Sequence, residues 1–344
     1  MIPQQTSSAG DQFDVCVLGS FMKDLVTQAP RRPRPGETIR GRAFDEYLGG
    51  KGFNQAVAAT RAGARTAMIG RVGDDRHGAE FLAMLADEGV DSAYVRRDAG
   101  WGTGVGLPVV EPDGSNSIIV VPRANDAVTA DDVLSAAPVI QRSRVLLVQL
   151  EVPMPAVLTA LHLARSAGVL TVLNPAPSAP LPEDIGALVD VVVPNEVEAE
   201  SLTGLLCHGD AVLGTAPTLR RRLARRGAIV TLGGRGVVVV DRRDGDEVPP
   251  DAVDEYAGWR TSVLNPIAVD TIDTVGAGDA FCGALAARIA AGDDLLSAAE
   301  YANAAGALAT TRRGTAPAMP RADEIDALLT RTTVSGATVG ERAL

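Results

Sequence analysis

The sequence predicts an α/β protein with a mostly parallel central sheet, helices on both faces, and a smaller β-rich addition. Short apolar runs alternate with helical stretches, which is typical of strands buried on both faces of a parallel sheet. Gly19, Asn174, Asn195 and Gly233 follow such runs, at the strand ends where ligands bind in these folds. The predicted strands are residues 15–18, 145–148, 169–173, 191–193, 229–232 and 237–240.

Two segments interrupt the alternation, roughly residues 21–48 and 101–123. Glycine, proline and alternating β-type residues predominate in both, so their strands are expected outside the main sheet. We expect one domain over residues 13–330 that contains both segments. Residues 1–12 and 332–344 are small and polar, which predicts flexible tails.

The composition fits a soluble, cytoplasmic enzyme. The 344 residues, 46% of them hydrophobic, can bury a large core, and no apolar run reaches the roughly 20 residues of a membrane span. The net charge of −11 argues against nucleic acid or an anionic membrane as the main partner. The first residues lack the basic and apolar segments of a secretion signal.

Cysteine and histidine give no sign of a disulfide framework or a zinc site. The three cysteines are widely separated and odd in number, which indicates reduced thiols. Cys282 is close in sequence to Asp279, but we interpret it as a small core residue of its helix. The three histidines have no metal-ligand spacing, so neither zinc nor a histidine-based triad is expected.

The segment 273–285 delivers one carboxylate, Asp279, to the first turn of a helix through a glycine turn. The amides of Gly276, Ala277 and Gly278 would lack intrahelical partners and would face an anion, with the positive end of the helix dipole behind them. An acid beside such an anion hole suits phosphoryl transfer. The alternative is that Asp279 serves only as a helix N-cap.

A second glycine run, residues 49–55, opens a helix that ends near Gly63. It is not a Walker loop, because Gly52 follows Lys51 where Ser or Thr would be needed. Lys23 and Lys51 are the only lysines among 32 lysines and arginines. In a chain that uses arginine almost everywhere, a lysine within a glycine run indicates a compact point charge with a functional role. The alternative is that the glycine run is only the entry to a helix.

These two segments, with further blocks in the same order, resemble the ribokinase family of carbohydrate kinases, which includes fructokinases and adenosine kinases. The resemblance covers most of the chain, and Gly-Gly-Lys-Gly with Asn-Pro-Ala-Pro indicates the ribokinase branch. The further blocks are residues 19–24, 35–38, 149–151, 174–177, 194–200, 231–236 and 311–317.

The resemblance implies a ribokinase-like fold in which the strands of residues 21–48 and 101–123 form a small β lid over the sugar. It implies ATP-dependent phosphorylation of a sugar primary hydroxyl, with D-ribose the favoured substrate and ribose 5-phosphate the product. Lids of two subunits clasp in ribokinases, which implies a homodimer. The partners are then a small sugar and ATP, with Mg²⁺ and K⁺ as cofactors.

Residue roles follow from the same resemblance. Asp279 corresponds to the family's general base and Gly276, Ala277 and Gly278 to its anion hole. Glu198 corresponds to a residue that orders the water shell of Mg²⁺. The residues that match sugar contacts are Met22, Asp24, Gly50, Lys51, Gly52, Asn54 and Glu151. The residues that match nucleotide contacts are Asn195, Thr231, Gly233, Gly236, Gly278 and Asn303.

Three of the carboxylates also have ordinary interpretations. Asp24 could belong to a lid turn, Glu151 could be a strand-end charge, and Glu198 could lie on a solvated helix face. A K⁺ site beside the anion hole is a further implication, in which Ala318 replaces a common serine and offers at most its carbonyl. The residues implied as K⁺ ligands are Asp273, Val275, Ala309, Arg312, Gly314 and Ala318.

Departures from the family pattern bear on the substrate. Met22 stands where bacterial ribokinases often have Asn, and a thioether accepts hydrogen bonds only weakly, which leaves 2-deoxyribose or another sugar open. Phe53 stands where Ala is usual and would add bulk close to the pocket. A nucleoside kinase would need an aromatic slot, yet aromatics make up only 3% of the chain. A non-catalytic sugar-binding protein is disfavoured by the retained Asp279 and glycine turn.

Overall fold

The computed structural model describes residues 12–113, 115–242, 258–334 and 340–342. Its strands form two sheets, and its helices cover the larger one. The strands are β1 (Phe13–Leu18), β2 (Met22–Gln28), β3 (Ala43–Gly49), β4 (Thr66–Gly73), β5 (Asp91–Asp98), β6 (Gly104–Val110), β7 (Asn116–Val121), β8 (Ser143–Val148), β9 (Leu170–Leu173), β10 (Val191–Val192), β11 (Gly227–Thr231), β12 (Val237–Asp241), β13 (Arg260–Leu264) and β14 (Gly340–Arg342). The α-helices are α1 (Lys51–Arg61), α2 (Arg76–Glu88), α3 (Ala130–Ser135), α4 (Ala137–Gln141), α5 (Met154–Ala167), α6 (Glu196–Thr203), α7 (Val212–Leu223), α8 (Ala277–Ala291), α9 (Leu295–Ala309) and α10 (Ala322–Val334).

The larger sheet has ten strands in the order β14-β13-β12-β11-β10-β9-β8-β1-β4-β5. Every neighbouring pair from β11 to the β5 edge is parallel, whereas the three pairs β11-β12, β12-β13 and β13-β14 are antiparallel. The predicted fold class is therefore confirmed. Each predicted apolar run coincides with a strand. The predicted runs did not include β4, β5, β13 or β14. Among these, β5 is an edge strand that is only half buried and carries charged residues, so it does not form an apolar run.

Burial on both faces explains why the central strands read as continuous apolar runs. Val15 and Val17 of β1 belong to the core under α1, α8 and α9, whereas Cys16 and Leu18 belong to the opposite core under α3 to α5. Successive strand residues point to opposite faces, so both must be apolar. The helices α1 and α8 pack closely at Gly283, where a side chain would overlap the backbone carbonyl of Gln55.

The smaller sheet has four strands in the order β3-β2-β6-β7 and draws them from residues 22–49 and 104–121. Its central pair, β2 and β6, is parallel, and both outer pairs are antiparallel. Lys23 of β2 forms ion pairs with Glu46 of β3 at 3.1 Å and Glu80 of α2 at 2.9 Å. The Lys23 ammonium is almost fully buried, so it fastens the small sheet to the main domain.

Part of the segment predicted as a flexible C-terminal tail has regular structure. The helix α10 extends to Val334, and residues 340–342 pair antiparallel with β13. This pairing satisfies backbone groups of β13 that would otherwise form an open sheet edge. Residues 1–11, 335–339 and 343–344 of the predicted tails lie outside the described residues. Within the described part of the chain, no helix has the length and apolar character needed to cross a bilayer.

Candidate active site

The glycine turn before α8 has the predicted geometry. Gly276 is the N-cap, with φ +81°, and a side chain there would press on Met319 and Thr315. The prediction of three free amides is partly wrong, because the amide of Ala277 donates to the carbonyl of Thr274 at 3.3 Å. Within the described residues, the amides of Gly276 and Gly278 have no protein acceptor, so they could bind an anion at the positive end of α8.

Asp279 is not the N-cap, so the alternative structural role is excluded. It lies two residues beyond the start of α8 and is buried. Both carboxylate oxygens are held from α1: Asn54 Nδ2 donates to Oδ2 and Gln55 Nε2 donates to Oδ1, each at 2.9 Å. Asn54 was predicted as a site residue, but Gln55 was not.

Asp24 and Met22 lie on the same face of β2, because strand residues two apart point the same way. The Asp24 carboxylate occupies the space left by two glycines, Gly49 of β3 and Gly106 of β6, where any side chain would overlap it. Met22 is buried and also lies over Gly106. Gly106 is therefore part of the site although sequence reasoning missed it, since the cross-strand register that gives it this role is not visible in a single sequence.

Glu151 follows β8 and faces the start of α1. Its carboxylate accepts hydrogen bonds from Ser20 Oγ at 2.5 Å and from the Lys51 amide at 2.9 Å. Burial favours the neutral Lys51 amine, but the carboxylates of Asp279, Glu151 and Glu198 outweigh this and raise its pKa. Lys51 is therefore a cation among three acids, close to the turn that could bind an anion.

Burial, together with the negative charges of Glu151 and Asp279, raises the pKa of Asp24 to about 6. A protonated Asp24 has fewer acceptor sites for sugar hydroxyls. We therefore expect sugar KM to be constant above about pH 7 and to rise as pH falls through about 6, with ATP KM unaffected. Steady-state kinetics from pH 5 to 8 test this. Asp24→Asn should abolish the pH dependence of sugar KM. If sugar KM of Asp24→Asn still rises as pH falls through about 6, the assignment to Asp24 is contradicted.

The predicted nucleotide residues converge on one cleft. A cavity of about 460 Å³ between β11, α8 and α9 is lined by all six of them: Asn195, Thr231, Gly233, Gly236, Gly278 and Asn303. Asn303 is oriented by donating from Nδ2 to the carbonyl of Asn265 at 2.9 Å. Sequence reasoning missed the apolar wall of Ile267, Val269 and Ala307, because such residues look like ordinary core positions in a sequence.

A second cavity of about 190 Å³ continues from this cleft, since both are lined by Asn195, Thr231 and Gly278. Its remaining wall includes Lys51 and Asp279. The glycine turn of residues 276–278 therefore lies where the cleft meets this smaller cavity. A larger cavity of about 620 Å³, between residues 178–183 and α7, contains none of the predicted site residues.

Glu198 is buried, so the alternative of a solvated helix face is excluded. It forms a capping box with Asn195: the Asn195 side chain accepts from the Glu198 amide at 2.9 Å, and Glu198 Oε2 accepts from the Asn195 amide at 2.8 Å. Burial raises the pKa of Glu198, while the Asn195 amide and Lys51 partly offset it. One oxygen thus has a structural role in α6, and the residue also lines the smaller cavity.

Asp273 joins the two loops that were predicted to hold K⁺. Its Oδ1 accepts from the Val275 amide at 3.0 Å and its Oδ2 from the Gly314 amide at 3.2 Å. Arg61 secures the second loop by donating to the carbonyls of Ala316 and Met319, at 3.1 and 2.7 Å. In residues 12–113, 115–242, 258–334 and 340–342, no group of three or more His, Cys, Asp or Glu side chains is placed to hold a metal ion.

The prediction that Phe53 adds bulk to the sugar pocket is wrong. Its ring is fully buried and packs edge-on against Phe81 at 4.8 Å, and Phe21 completes the cluster. The side chain therefore points into the core between α1 and α2. Cys282 is buried in α8, as predicted, but it also lines the smaller cavity.

Fold and cleft together define a small-molecule kinase of the α/β class. The chain belongs to the pfkB family of carbohydrate kinases, whose family model matches residues 12–322. It is 34% identical over 317 residues to a ribokinase of Bacillus subtilis, an alignment that covers 92% of this chain and 99% of that protein. A deoxyribokinase of Salmonella typhi is 31% identical, with coverage of 92% and 99%.

Solved structures agree with this assignment. The Arabidopsis thaliana ribokinase complexed with ribose and ATP superimposes with a TM-score of 0.80 at 27% identity, covering 92% of this chain and 99% of that one. A Thermotoga maritima ribokinase gives a TM-score of 0.79 at 26% identity, with the same coverage. The resemblance inferred from the motifs is therefore confirmed, and the protein is a carbohydrate kinase.

Proposed function

We propose that this kinase transfers the γ-phosphoryl group of ATP to the primary hydroxyl of D-ribose, forming ribose 5-phosphate and ADP. One observation carries the proposal: Asp279 lines a small cavity that continues from a nucleotide-sized cleft, and its charge acts on Asp24 together with that of Glu151. A sugar beside these three acids, in what we call the sugar pocket, and ATP in the cleft would bring a hydroxyl and a phosphate to the same carboxylate.

In this mechanism Asp279 accepts the proton of the sugar hydroxyl as its oxygen attacks the γ-phosphorus and the bond to the ADP oxygen breaks. The free amides of Gly276 and Gly278, with the α8 dipole, stabilise negative charge on the transferring group. Lys51 supplies a compact positive charge beside them. Mg²⁺ bound to ATP would neutralise phosphate charge, and Glu198, which lines the smaller cavity, would order its water shell.

Sugar recognition would depend on acceptors that face the pocket. Asp24 is partly exposed between its two glycines, and Asn54 Oδ1 is buried without a hydrogen-bond partner within the described residues. A buried acceptor that lacks a partner is costly, so a sugar hydroxyl donating to Asn54 would be favourable. We propose Gly50, Lys51, Gly52 and Glu151 as the remaining contacts, at the start of α1.

A nucleoside kinase is less well supported. Phe21 and Phe53 are committed to the buried aromatic cluster, and Trp101 is exposed, so these rings form no slot for a base. Incubating the protein with ATP and, in turn, ribose, 2-deoxyribose, fructose or adenosine, with ADP release as the readout, tests the proposal. Adenosine as the best substrate would contradict it.

Met22 provides a test of sugar specificity. If its thioether faces the sugar edge beside Asp24, 2-deoxyribose should be used well, in keeping with the deoxyribokinase relative. Met22→Asn should shift the ribose-to-deoxyribose ratio of kcat/KM toward ribose by about 10-fold, the effect of one neutral hydrogen bond. An unchanged ratio would mean that Met22 only packs against Gly106 and that Asp24 and Asn54 set specificity.

We also propose that K⁺ activates the enzyme by ordering the loops that Asp273 joins. The proposal is supported by Asp273, whose carboxylate ties the two loops together. The candidate ligands are that carboxylate and the backbone carbonyls of Val275, Ala309, Arg312, Gly314 and Ala318. K⁺ should raise kcat or ATP affinity about 10-fold relative to tetramethylammonium. Asp273→Ala, which releases the amides of Val275 and Gly314, should be slow in both cations. Equal wild-type activity in the two cations would contradict the proposal.

The small sheet supports the proposal of a homodimer through the lid. Ile118, Ile119, Val120 and Val121 of its edge strand β7 are 40–66% exposed, although all four are apolar. A second lid laid against this strand would cover them. Light scattering on the purified protein tests this, and a monomer mass would contradict it.

A further inference from the structure

Gln55 lies in a hydrogen-bonded network of buried side-chain amides that ends on the Asp279 carboxylate. The residue is fully buried, and its Nε2 donates to Asp279 Oδ1 at 2.9 Å and to Asn174 Oδ1 at 3.1 Å. Its own Oε1 accepts from Gln149 Nε2 at 2.6 Å. Gln149 follows β8 and Asn174 follows β9, so this network links the ends of two central strands to the start of α8.

The negative charge of an ionised Asp279 determines the donor and acceptor of every hydrogen bond in this network. An ionised carboxylate can only accept, so Gln55 must present its nitrogen to Asp279 and its oxygen to Gln149. Gln149 must then present its nitrogen to Gln55, which leaves its Oε1 buried against Gly19 with no partner in the described part of the chain. A core built for stability alone would avoid such an orphaned oxygen.

The two carboxylate oxygens of Asp279 are held by different kinds of residue. Asn54, which binds Oδ2, is a proposed sugar contact, and its buried Oδ1 has no hydrogen-bond partner within the described residues. Gln55 has all its polar atoms in bonds to protein groups, so it contacts only the carboxylate and its supports. Gln55 can therefore fix the rotation of Asp279 independently of whether sugar is bound.

We infer that Gln55 is a positioning residue that orients the Asp279 carboxylate for proton transfer, and that Gln149 fixes the orientation of Gln55. The inference rests on the proposed function, in which Asp279 is the general base. A carboxylate that turns away from the hydroxyl loses the near-attack geometry on which proton transfer depends, while substrate binding persists.

The test uses Gln55→Met and Gln149→Met, which keep length and remove hydrogen bonding. Gln55→Met should lower kcat at least 10-fold, with KM for sugar and ATP within about threefold, and Gln149→Met should lower kcat at least fivefold. The matched control is Thr215→Val in α7, which removes the hydrogen bond that the buried Thr215 hydroxyl donates to the carbonyl of Leu206; neither residue lines the cleft or the smaller cavity. It should lower Tm and leave kcat unchanged.

The double variant separates positioning from folding. Gln55→Met with Gln149→Met removes the Gln149 nitrogen and the Gln55 oxygen that the single changes orphan, although Asp279 Oδ1 and Asn174 Oδ1 still lose their donor. Tm should therefore recover in part relative to Gln55→Met while kcat stays low. A kcat that recovers with Tm, or a fall of less than fivefold in both single variants, would overturn the inference. If Gln55→Met does not fold, the kcat of Gln149→Met decides.

The same assay distinguishes failure of this inference from failure of the proposed function. Asp279→Asn is measured beside the glutamine variants. Normal turnover in Asp279→Asn would refute the proposed function itself, whereas loss of turnover there with full activity in both glutamine variants would refute only the role of Gln55. In the Asp279→Asn background, Gln55→Met should cause no further loss.

Discussion

Asp279→Asn is expected to lower kcat by about 10²-fold or more while ATP affinity changes little. The amide has the shape of the carboxylate but cannot accept the proton of the sugar hydroxyl at neutral pH. The residues predicted to bind ATP line a cleft that Asp279 itself does not line, so nucleotide binding should persist. Steady-state kinetics with ribose, and calorimetric titration with ATP, give both quantities.

The environment of Asp279 adds a second expected effect. Asn54 and Gln55 both donate to this position, so an Asn side chain must place its own NH₂ group against one of them. Asp279→Asn should therefore also lower Tm slightly, since one buried donor loses its acceptor. Near-normal turnover in this variant would show that another group removes the proton.

Asp24→Ala is expected to lower kcat/KM for the sugar by about 10²-fold. Each hydrogen bond from a sugar hydroxyl to a carboxylate contributes about 1.5–3 kcal/mol, and the loss of two of them gives this factor or more. ATP KM should stay within about threefold, because the Asp24 carboxylate lies between Gly49 and Gly106 of the small sheet. Asp113→Ala, in the exposed loop after β6, is the matched control and should have no effect.

Asp24→Ala is expected to lower activity but not stability. The pKa of Asp24 is raised to about 6 in the folded protein from an ordinary value of 3.8, so the folded state binds this proton more tightly than the unfolded state does. Ionisation of Asp24 therefore destabilises the fold as pH rises through this range. Asp24→Ala should therefore not lower Tm at pH 8. For the kinetic prediction, a sugar KM within threefold of the wild-type value would contradict the proposed contact between Asp24 and the sugar.

Much of the fold could be predicted from local pattern. Strands buried on both faces must be apolar at every position, so β1, β8 and β12 stand out in the sequence. The carboxyl ends of parallel strands meet at one edge, which is why Asn195 and Gly233 could be expected near a ligand, whereas Asn303 of α9 was assigned to the same cleft only through the family resemblance. Both glycine runs were predicted to open helices, and in the structure Gly50 and Gly276 precede α1 and α8 with the positive φ that glycine permits.

The missed features depend on contacts between distant segments. Gln55 reaches Asp279, 224 residues away, only because Gly283 lets α8 approach α1 closely. Phe53 turns into the core because Phe21 and Phe81 meet it there, which no local pattern reveals. Gly106 matters through its strand pairing with Asp24. None of these partners is close in sequence, so one sequence could not show them.

The central claim is that this protein phosphorylates a pentose at its primary hydroxyl by means of Asp279. The most direct test is to incubate the purified protein with ATP, Mg²⁺, K⁺ and ribose and to identify the product by ³¹P NMR, with Asp279→Asn in parallel. The account predicts ribose 5-phosphate and ADP in equal amounts from the wild type and at least a 10²-fold lower rate from the variant. Absence of a sugar phosphate, phosphate at another hydroxyl, or equal rates in the two proteins would contradict it.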